Sequence, residues 1–167
     1  YIVEGKLLLF RVQLDETGKP TGRRHPLLTS AEQSLVFGAR VQNLDGQSSS
    51  LLAIPSAGTH IVPFELSLFR HCLEDPDLKT PLIELFEAWL QAYAEALLGC
   101  LLPSGCISLP SDQPQVLPPF QVIRAKHGVQ WADVRQGDYN VILNDEFYSE
   151  RQGLMPPITE TLWLQAV

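Results

Sequence analysis

The chain has 167 residues, 45% of them hydrophobic, so it can bury a substantial core as one domain or as two closely packed halves. Its net charge of −7 argues against a general nucleic-acid binder, because neutralising phosphates needs clustered Lys and Arg residues that are scarce here. No uninterrupted run of about 18 apolar residues occurs, so no segment is predicted to span a membrane.

The N-terminal part of the chain predicts short strands separated by turns. Residues 1–14 contain an Ile/Val-rich run and a Leu/Phe-rich run that meet near Gly5, and residues 15–20 form a polar hairpin tip. Breaks recur about every 8–12 residues, which is typical of an antiparallel roll or sandwich. Further strands are predicted at residues 23–28, 51–54 and 60–64, with another that ends at residues 35–38 and a turn at 43–50.

One long helix is predicted over residues 80–98, where apolar side chains recur at steps of three and four. Thr80 is the predicted cap, Pro81 the first helical residue and Gly99 the stop, after a transition over residues 65–79. Residues 65–98 carry seven acidic residues against two basic ones. This excess indicates either a solvated helix face or a docking surface for a basic partner.

A second β portion follows a connector, residues 102–119, whose five prolines predict an extended surface segment without strand pairing. Strands are predicted within residues 120–126, 129–135 and 139–143, with Trp131 as a core anchor. The predicted division is therefore a β region over 1–79, a bracing helix over 80–99, the connector over 100–119 and a second β unit over 120–167. The fold class is mainly β with one long helix (α+β).

The start at Tyr1, without a methionine and directly in a strand-like pattern, suggests a domain excised from a larger protein. On this expectation, the second β unit leads to a following domain.

The residues that carry chemistry are sparse. Three cysteines, an odd number, favour a reducing compartment and are interpreted as buried small apolar groups. The four histidines lack the spacing of a metal site, and no phosphate loop or nucleophile elbow occurs. We therefore assign no catalytic residue, no metal ligand and no cofactor, and expect a chain that is not an enzyme.

The first half resembles the β-roll, or jelly roll, of the cyclic-nucleotide-binding family. Residues 1–10 are similar to that family's Tyr-Ile-Val-x-Gly-x-Val strand pair, and the hairpin and Phe37-Gly38 follow in the same order. In that family a Glu after the glycine binds the ribose and an Arg about ten residues on binds the phosphate. Here Ala39 and residues 48–50, all serine, occupy those places. Arg23, Arg24 and Arg40 remain candidate anion-binding residues.

A second resemblance covers most of the chain. The order of its short motifs is similar to the N-terminal cytosolic region of ABC transporters that export modified bacteriocin-type peptides with a nitrile-hydratase-like leader. The matching positions are Val3-Glu4-Gly5, Leu9-Phe10, Gly22-Arg23, Phe37-Gly38, Trp89, Gly128-Val129-Gln130-Trp131 and residues 157–164. The resemblance implies a β-roll, a bracing helix and a small β unit ahead of a membrane domain and an ATPase domain.

The function expected from this resemblance is a non-catalytic regulatory module, or one that recognises the cargo or leader peptide of a bacterial exporter. Its partners would be that peptide and the rest of the transporter, dimeric in the full protein, at the cytoplasmic face of the inner membrane. Peptide recognition would use strand addition at an exposed edge or a groove beside the long helix. The alternative is a sensor of a small nucleotide-like ligand that binds through Arg23, Arg24 or Arg40.

Overall fold

The computed structural model describes residues 1–38, 40–42, 48–97, 105–109, 114–143, 146–150 and 155–167. This part of the chain is mainly β, with two helices and several small sheets, none of which closes into a barrel. It divides into two compact units, Tyr1–Trp89 and Leu90–Val167. The mainly β class is confirmed, whereas one helix was predicted and two are found.

The first unit contains a four-stranded antiparallel sheet with strand order β3-β2-β5-β4. Its strands are β2 (Lys6–Leu14), β3 (Pro20–Ala31), β4 (Arg40–Gln42) and β5 (Ser48–Pro55). Leu7 and Leu9 alternate with exposed neighbours and are buried with Ile2, with Leu28 and Val36 packed against them. The predicted pair of strands that meet near Gly5 and the predicted hairpin tip at residues 15–20 are confirmed. Residues 43–47 of the predicted turn lie outside the described residues, and 48–50 belong to β5.

Two further strands, β1 (Ile2–Glu4) and β6 (His60–Ile61), form a separate antiparallel pair. Residues 35–38 were predicted to end a strand and do not. Leu35 is buried there, and Phe37 is the centre of an aromatic cluster. The Phe37 ring meets four others edge-on, at centroid distances of 5.3 Å to Phe69, Phe86 and Trp89 and 6.4 Å to Phe64.

The helices are α1 (Leu66–Cys72) and α2 (Pro76–Ala96), so the predicted transition over 65–79 is largely helical. The predicted start of the long helix was wrong. Asp75 caps α2 by accepting from the Asp77 amide at 2.9 Å, and Pro76 takes the first position. Pro81 lies inside the helix. Gly99 lies outside the described residues, and no helix within them is long and apolar enough to cross a membrane.

The second unit contains a five-stranded sheet with order β11-β10-β13-β8-β7. Its strands are β7 (Ile107–Ser108), β8 (Val122–Arg124), β10 (Tyr139–Leu143), β11 (Glu146–Glu150) and β13 (Leu162–Ala166). The proline-rich connector was predicted to form no ladder, but its β7 pairs with β8 in parallel. A ribbon of β9 (Gln130–Trp131) and β12 (Pro157–Ile158) completes the unit.

The burial of the two tryptophans in the second unit differs from the prediction made from the sequence. Trp131 was predicted to anchor the core, but it is 40% exposed on the short β9 ribbon. Trp163 is the buried one, at 1% exposure, in the central strand β13, and its Nε1–H donates to the Glu160 carbonyl at 2.9 Å. A strand with neighbours on both sides buries a large ring more fully than a two-stranded ribbon does.

Candidate functional site

The most distinctive geometry of the first unit is a bent two-stranded ribbon. The pairing of β2 with β5 ends at Leu7 and Pro55. The chain before β2 and the chain after β5 then pair with each other as β1 and β6, beginning with Glu4 and His60. Between the two ladders, Gly5 adopts a φ of +87°, a left-handed conformation that glycine tolerates best. The glycine between the two predicted strands therefore marks a bend that turns β1 away from the sheet.

Side-chain hydroxyls hold this bend in place. The Thr59 hydroxyl accepts from the Lys6 amide at 3.2 Å and donates to the Lys6 carbonyl at 2.9 Å. The Ser56 amide also donates to the Lys6 carbonyl, at 3.0 Å. The Ser56 and Thr59 hydroxyl oxygens lie 3.0 Å apart. These bonds fix the turn that leads into β6 against the start of β2, so the direction of β6 is set by local contacts.

Strand β6 has one strand neighbour, β1, within the described residues. Tyr1 and Val62 exchange both backbone hydrogen bonds, each at 2.9 Å, so the adjoining pair Ile2 and Ile61 is a non-hydrogen-bonded pair. In such a pair the backbone groups point away from each other. The amide and the carbonyl of Ile61 therefore face the open side of β6, where a further strand could pair.

Several exposed apolar side chains belong to this strand pair or follow it in the sequence. Val3 is the extra residue where the register of β1 shifts, and it is 48% exposed. Ile61 and Val62 are 44% and 52% exposed, and Leu66 and Leu68 at the start of α1 are 54% and 52% exposed. We call the three residues of the strand pair, Val3, Ile61 and Val62, the β6 edge surface. Ile61 and Val62 are successive residues of an extended segment, so their side chains offer apolar contact on opposite faces of the edge.

Two carboxylates belong to the same segments, Glu4 in β1 and Glu65 before α1. Glu4 Oε2 is 3.7 Å from Nδ1 of His60, the first residue of β6. Glu65 is the N-cap residue of α1 without a side-chain capping bond, and its Oε2 accepts from the Ser67 hydroxyl at 3.2 Å. Neither β1 nor residues 59–69 contains a Lys or an Arg. The Tyr1 ammonium donates to the Val62 carbonyl at 2.9 Å, and Lys6 and Arg70 border these two segments, so charges of both signs occur around them.

The backbone positions of the arginines proposed as anion-binding residues lie in the two outer strands of the described four-stranded sheet. Arg23 and Arg24 are exposed and adjacent in β3, where its register against β2 is interrupted between Arg11 and Gln13. Arg40 lies in β4, at the opposite edge, paired with Ser50. Three strand spacings of about 4.8 Å separate the two edges.

The other candidate groups are dispersed. Three histidines each have one carboxylate partner: Glu4 for His60, Glu74 for His71 and Glu160 for His127. Among the described residues, no three His, Cys, Asp or Glu side chains are grouped so that they could hold a metal ion. These contacts lie at exposed positions and assemble no acid-base pair around a shared cleft.

The two described cysteines are less buried than the sequence analysis predicted. Cys72 and Cys106 are free thiols of intermediate exposure, and Cys100 lies outside the described residues. Burial raises the pKa of the Cys106 thiol above its ordinary value of 9.0, and the nearby Arg124 charge opposes this effect. Cys106 is therefore held in the protonated, less nucleophilic form.

No known protein family, curated protein or solved structure matches this chain. The β6 edge surface was not singled out from the sequence, which predicted only a short apolar strand at 60–64. A signal was present in the run of apolar residues from Ile61 to Leu68, interrupted by Pro63, Glu65 and Ser67. Which of those residues remain exposed depends on which strand pairs with which.

Proposed function

We propose that this chain is a non-catalytic recognition module that binds an extended peptide by strand addition at the open side of β6. The observation that supports it is the outward-facing amide and carbonyl of Ile61, in a strand whose side chains Ile61 and Val62 are exposed. In strand addition, main-chain hydrogen bonds supply affinity and neighbouring apolar side chains select the peptide.

The length of the open edge fits a short contact. Pro63 follows Val62 and has no amide hydrogen, so it cannot donate to an added strand. The backbone pairing is then centred on Ile61, and apolar contact with Ile61 on one face of the edge and Val62 on the other adds to the affinity. We expect binding of moderate affinity, which suits a peptide that must later be released.

In the larger setting, we propose that the peptide is the cargo or leader of a bacterial ABC exporter. The ordered resemblance over residues 3–164 supports this assignment, and we propose with it a position at the cytoplasmic face of the inner membrane in a dimeric transporter. We also propose that the first unit is a β-roll of the cyclic-nucleotide-binding type without its ligand contacts. The β1–β2 bend at Gly5 supports this proposal, since it lies in the motif on which the resemblance rests.

The test is a titration of the labelled chain by heteronuclear NMR with a blocked peptide of alternating Thr and Val, about nine residues long. We expect chemical-shift changes centred on residues 60–62 and slower hydrogen exchange of the Ile61 amide. A matched peptide, N-methylated at alternate residues, cannot form one side of the ladder and should not bind. Equal binding of the methylated peptide would contradict strand addition.

Two protein variants distinguish pairing at the strand edge from non-specific binding to exposed apolar residues. Ile61→Lys places a charge on the open edge, a device that natural edge strands use to prevent pairing. Leu78→Lys is the matched control, because Leu78 is 45% exposed on α2 and lies outside the β6 edge surface. We expect Ile61→Lys to weaken peptide binding about tenfold and Leu78→Lys to leave it unchanged.

The biological ligand is tested with the synthetic leader peptide encoded next to the gene, with cyclic AMP and cyclic GMP titrated in parallel by calorimetry. Saturable binding of the leader, competed by the Thr/Val peptide, would support the exporter assignment. Saturable binding of a cyclic nucleotide alone would contradict it and favour a small-ligand sensor.

A further inference from the structure

We infer that the open side of β6 selects one residue of the bound peptide, an aliphatic residue that pairs with Ile61 and extends the row of side chains formed by Ile2 and Ile61. This inference rests on the proposed function and adds the register and the central side chain of the peptide. The ladder between β1 and β6 supports it, because the hydrogen bonds on both sides of Ile2 and Ile61 are known.

Ile61 supplies the pairing groups of the open side. The Ile2 amide donates to the Ser34 carbonyl at 3.0 Å, and the Ile2 carbonyl accepts from the Gln33 amide at 2.8 Å. The backbone groups of Ile2 therefore point away from β6. Those of Ile61, directly opposite, point away from β1 and toward the open side.

The residues on either side of Ile61 offer no second amide to an added strand. The amides of Val62 and Thr59 already donate to backbone carbonyls of this chain. Pro63 has no amide hydrogen. Successive amides of a strand point in opposite directions, so the His60 amide faces β1, as that of Val62 does.

One residue of an antiparallel peptide can use both groups of Ile61. Its carbonyl accepts from the Ile61 amide, and its amide donates to the Ile61 carbonyl. Antiparallel pairing is the more stable arrangement per residue, and β1 already pairs with β6 in this way. The peptide residue opposite Ile61 is therefore the centre of recognition.

The side chain of that central residue lies on the face that carries Ile2 and Ile61, because directly paired residues share a face. Ile2 is fully buried there with Leu7 and Leu9, whereas Ile61 is 44% exposed. An aliphatic side chain beside Ile61 continues a row that begins in the core and covers part of the exposed Ile61 surface. Val62 lies on the opposite face, so the neighbouring peptide residues do not extend this row.

The experiment titrates the isotope-labelled chain with two blocked peptides and follows the Ile61 amide by NMR. The first peptide is Gln-Thr-Thr-Val-Thr-Thr-Gln, and the second has Thr at the centre, which keeps the shape of Val but adds a hydroxyl. We expect the Val-centred peptide to bind about threefold tighter, the scale of one apolar cross-strand pair.

Nuclear Overhauser contacts report the register of the bound peptide. We expect the methyl groups of the peptide valine to contact the Ile61 side chain, on the shared face, more strongly than the Val62 side chain. Stronger contacts to Val62 would place the valine on the other face and overturn the inference.

Two variants assign the preference to the row. Ile61→Thr keeps a β-branched side chain and the backbone pairing, and we expect it to make the two peptides bind about equally. Val62→Thr is the matched control, because Val62 is 52% exposed on the opposite face, and it should leave the threefold preference intact.

The outcomes separate the two proposals. Equal binding of the two peptides to the wild-type chain, with shift changes still centred on Ile61, would overturn the inference and leave strand addition standing. No saturable shift of the Ile61 amide with either peptide would overturn strand addition, and the inference with it. An unchanged preference in Ile61→Thr would also overturn the inference, because the selecting contact would then lie elsewhere.

Discussion

Thr59 and Lys6 are joined by two hydrogen bonds through one hydroxyl, which accepts from the Lys6 amide at 3.2 Å and donates to the Lys6 carbonyl at 2.9 Å. These residues are 53 positions apart in the sequence. Their contact connects the start of β2 to the turn before β6 and so determines where the open side of β6 lies. The candidate site therefore depends on a contact between two segments that are far apart in the sequence.

The first prediction concerns Gly5. A Cβ at this position would lie 2.7 Å from Thr59 Oγ1 and 2.8 Å from Thr59 Cα, and the backbone φ of +87° is unfavourable for any other residue. We expect Gly5→Ala to lower the free energy of unfolding by about 3 kcal/mol, measured by urea denaturation.

Gly18→Ala is the matched control for this substitution. Gly18 has a similar φ of +79°, but a Cβ added there would meet no other atom within 4 Å. Gly18→Ala should therefore lower the free energy of unfolding by about 1 kcal/mol, from backbone strain alone. If the two variants lose the same free energy of unfolding, the close approach of Thr59 to Gly5 does not restrict the residue at position 5.

The second prediction concerns the aromatic cluster around Phe37. Because this ring meets four others edge-on, we expect Phe37→Leu to lower the free energy of unfolding by about 2 kcal/mol. Phe120→Leu is the comparison, since the Phe120 ring is 75% exposed and its truncation should change stability by less than about 0.5 kcal/mol. A loss for Phe37→Leu as small as that for Phe120→Leu would contradict the central role of Phe37.

The third prediction concerns the backbone of Phe120, which has a φ of +66°. A bulky residue is strained in this region, whereas Asn tolerates it, and the exposed ring contributes little packing. We expect Phe120→Asn to raise the free energy of unfolding by about 0.5–1 kcal/mol. Val116→Asn, at a 99% exposed position nearby, should leave stability unchanged. Destabilisation by Phe120→Asn in thermal unfolding would contradict the strain.

The fourth prediction concerns pH and Asp15. The Thr17 hydroxyl and the Lys19 amide donate to the Asp15 carboxyl and hold its pKa below the ordinary value of 3.8. Since the folded pKa is lower than the unfolded one, the ionised carboxylate stabilises the fold above pH 3.8. This contribution is lost as the pH falls through the folded pKa.

Asp15→Asn keeps an acceptor oxygen but removes the charge. We expect the wild-type chain to melt at a higher temperature than this variant at about pH 6, and the difference to disappear at about pH 2. Glu16→Gln, on the same hairpin tip, serves as the control. A melting difference between wild type and Asp15→Asn that stays constant over this pH range would contradict the charge effect.

Local chemistry explains which elements the sequence predicted well. The Leu7 and Leu9 alternation, the Asp15–Lys19 turn and the apolar period of α2 are each encoded within a few residues of chain. The start of α2 was misplaced because Asp75-Pro76 and Thr80-Pro81 carry the same signature of a cap followed by a proline. Helix α1 was missed because it has seven residues, too few for a clear period.

By itself, the sequence determined a mainly β chain with a long amphipathic helix, because alternation, turn residues and helical spacing act over short distances. Only the tertiary structure decided which tryptophan is buried, how far Arg40 lies from Arg23, and which strand keeps an open side. Each of these depends on strand pairing between segments far apart in the chain, so that no local pattern specifies it. The β6 edge surface is the result of such pairing, and its proposed function follows from the one strand neighbour that β6 has in the described chain.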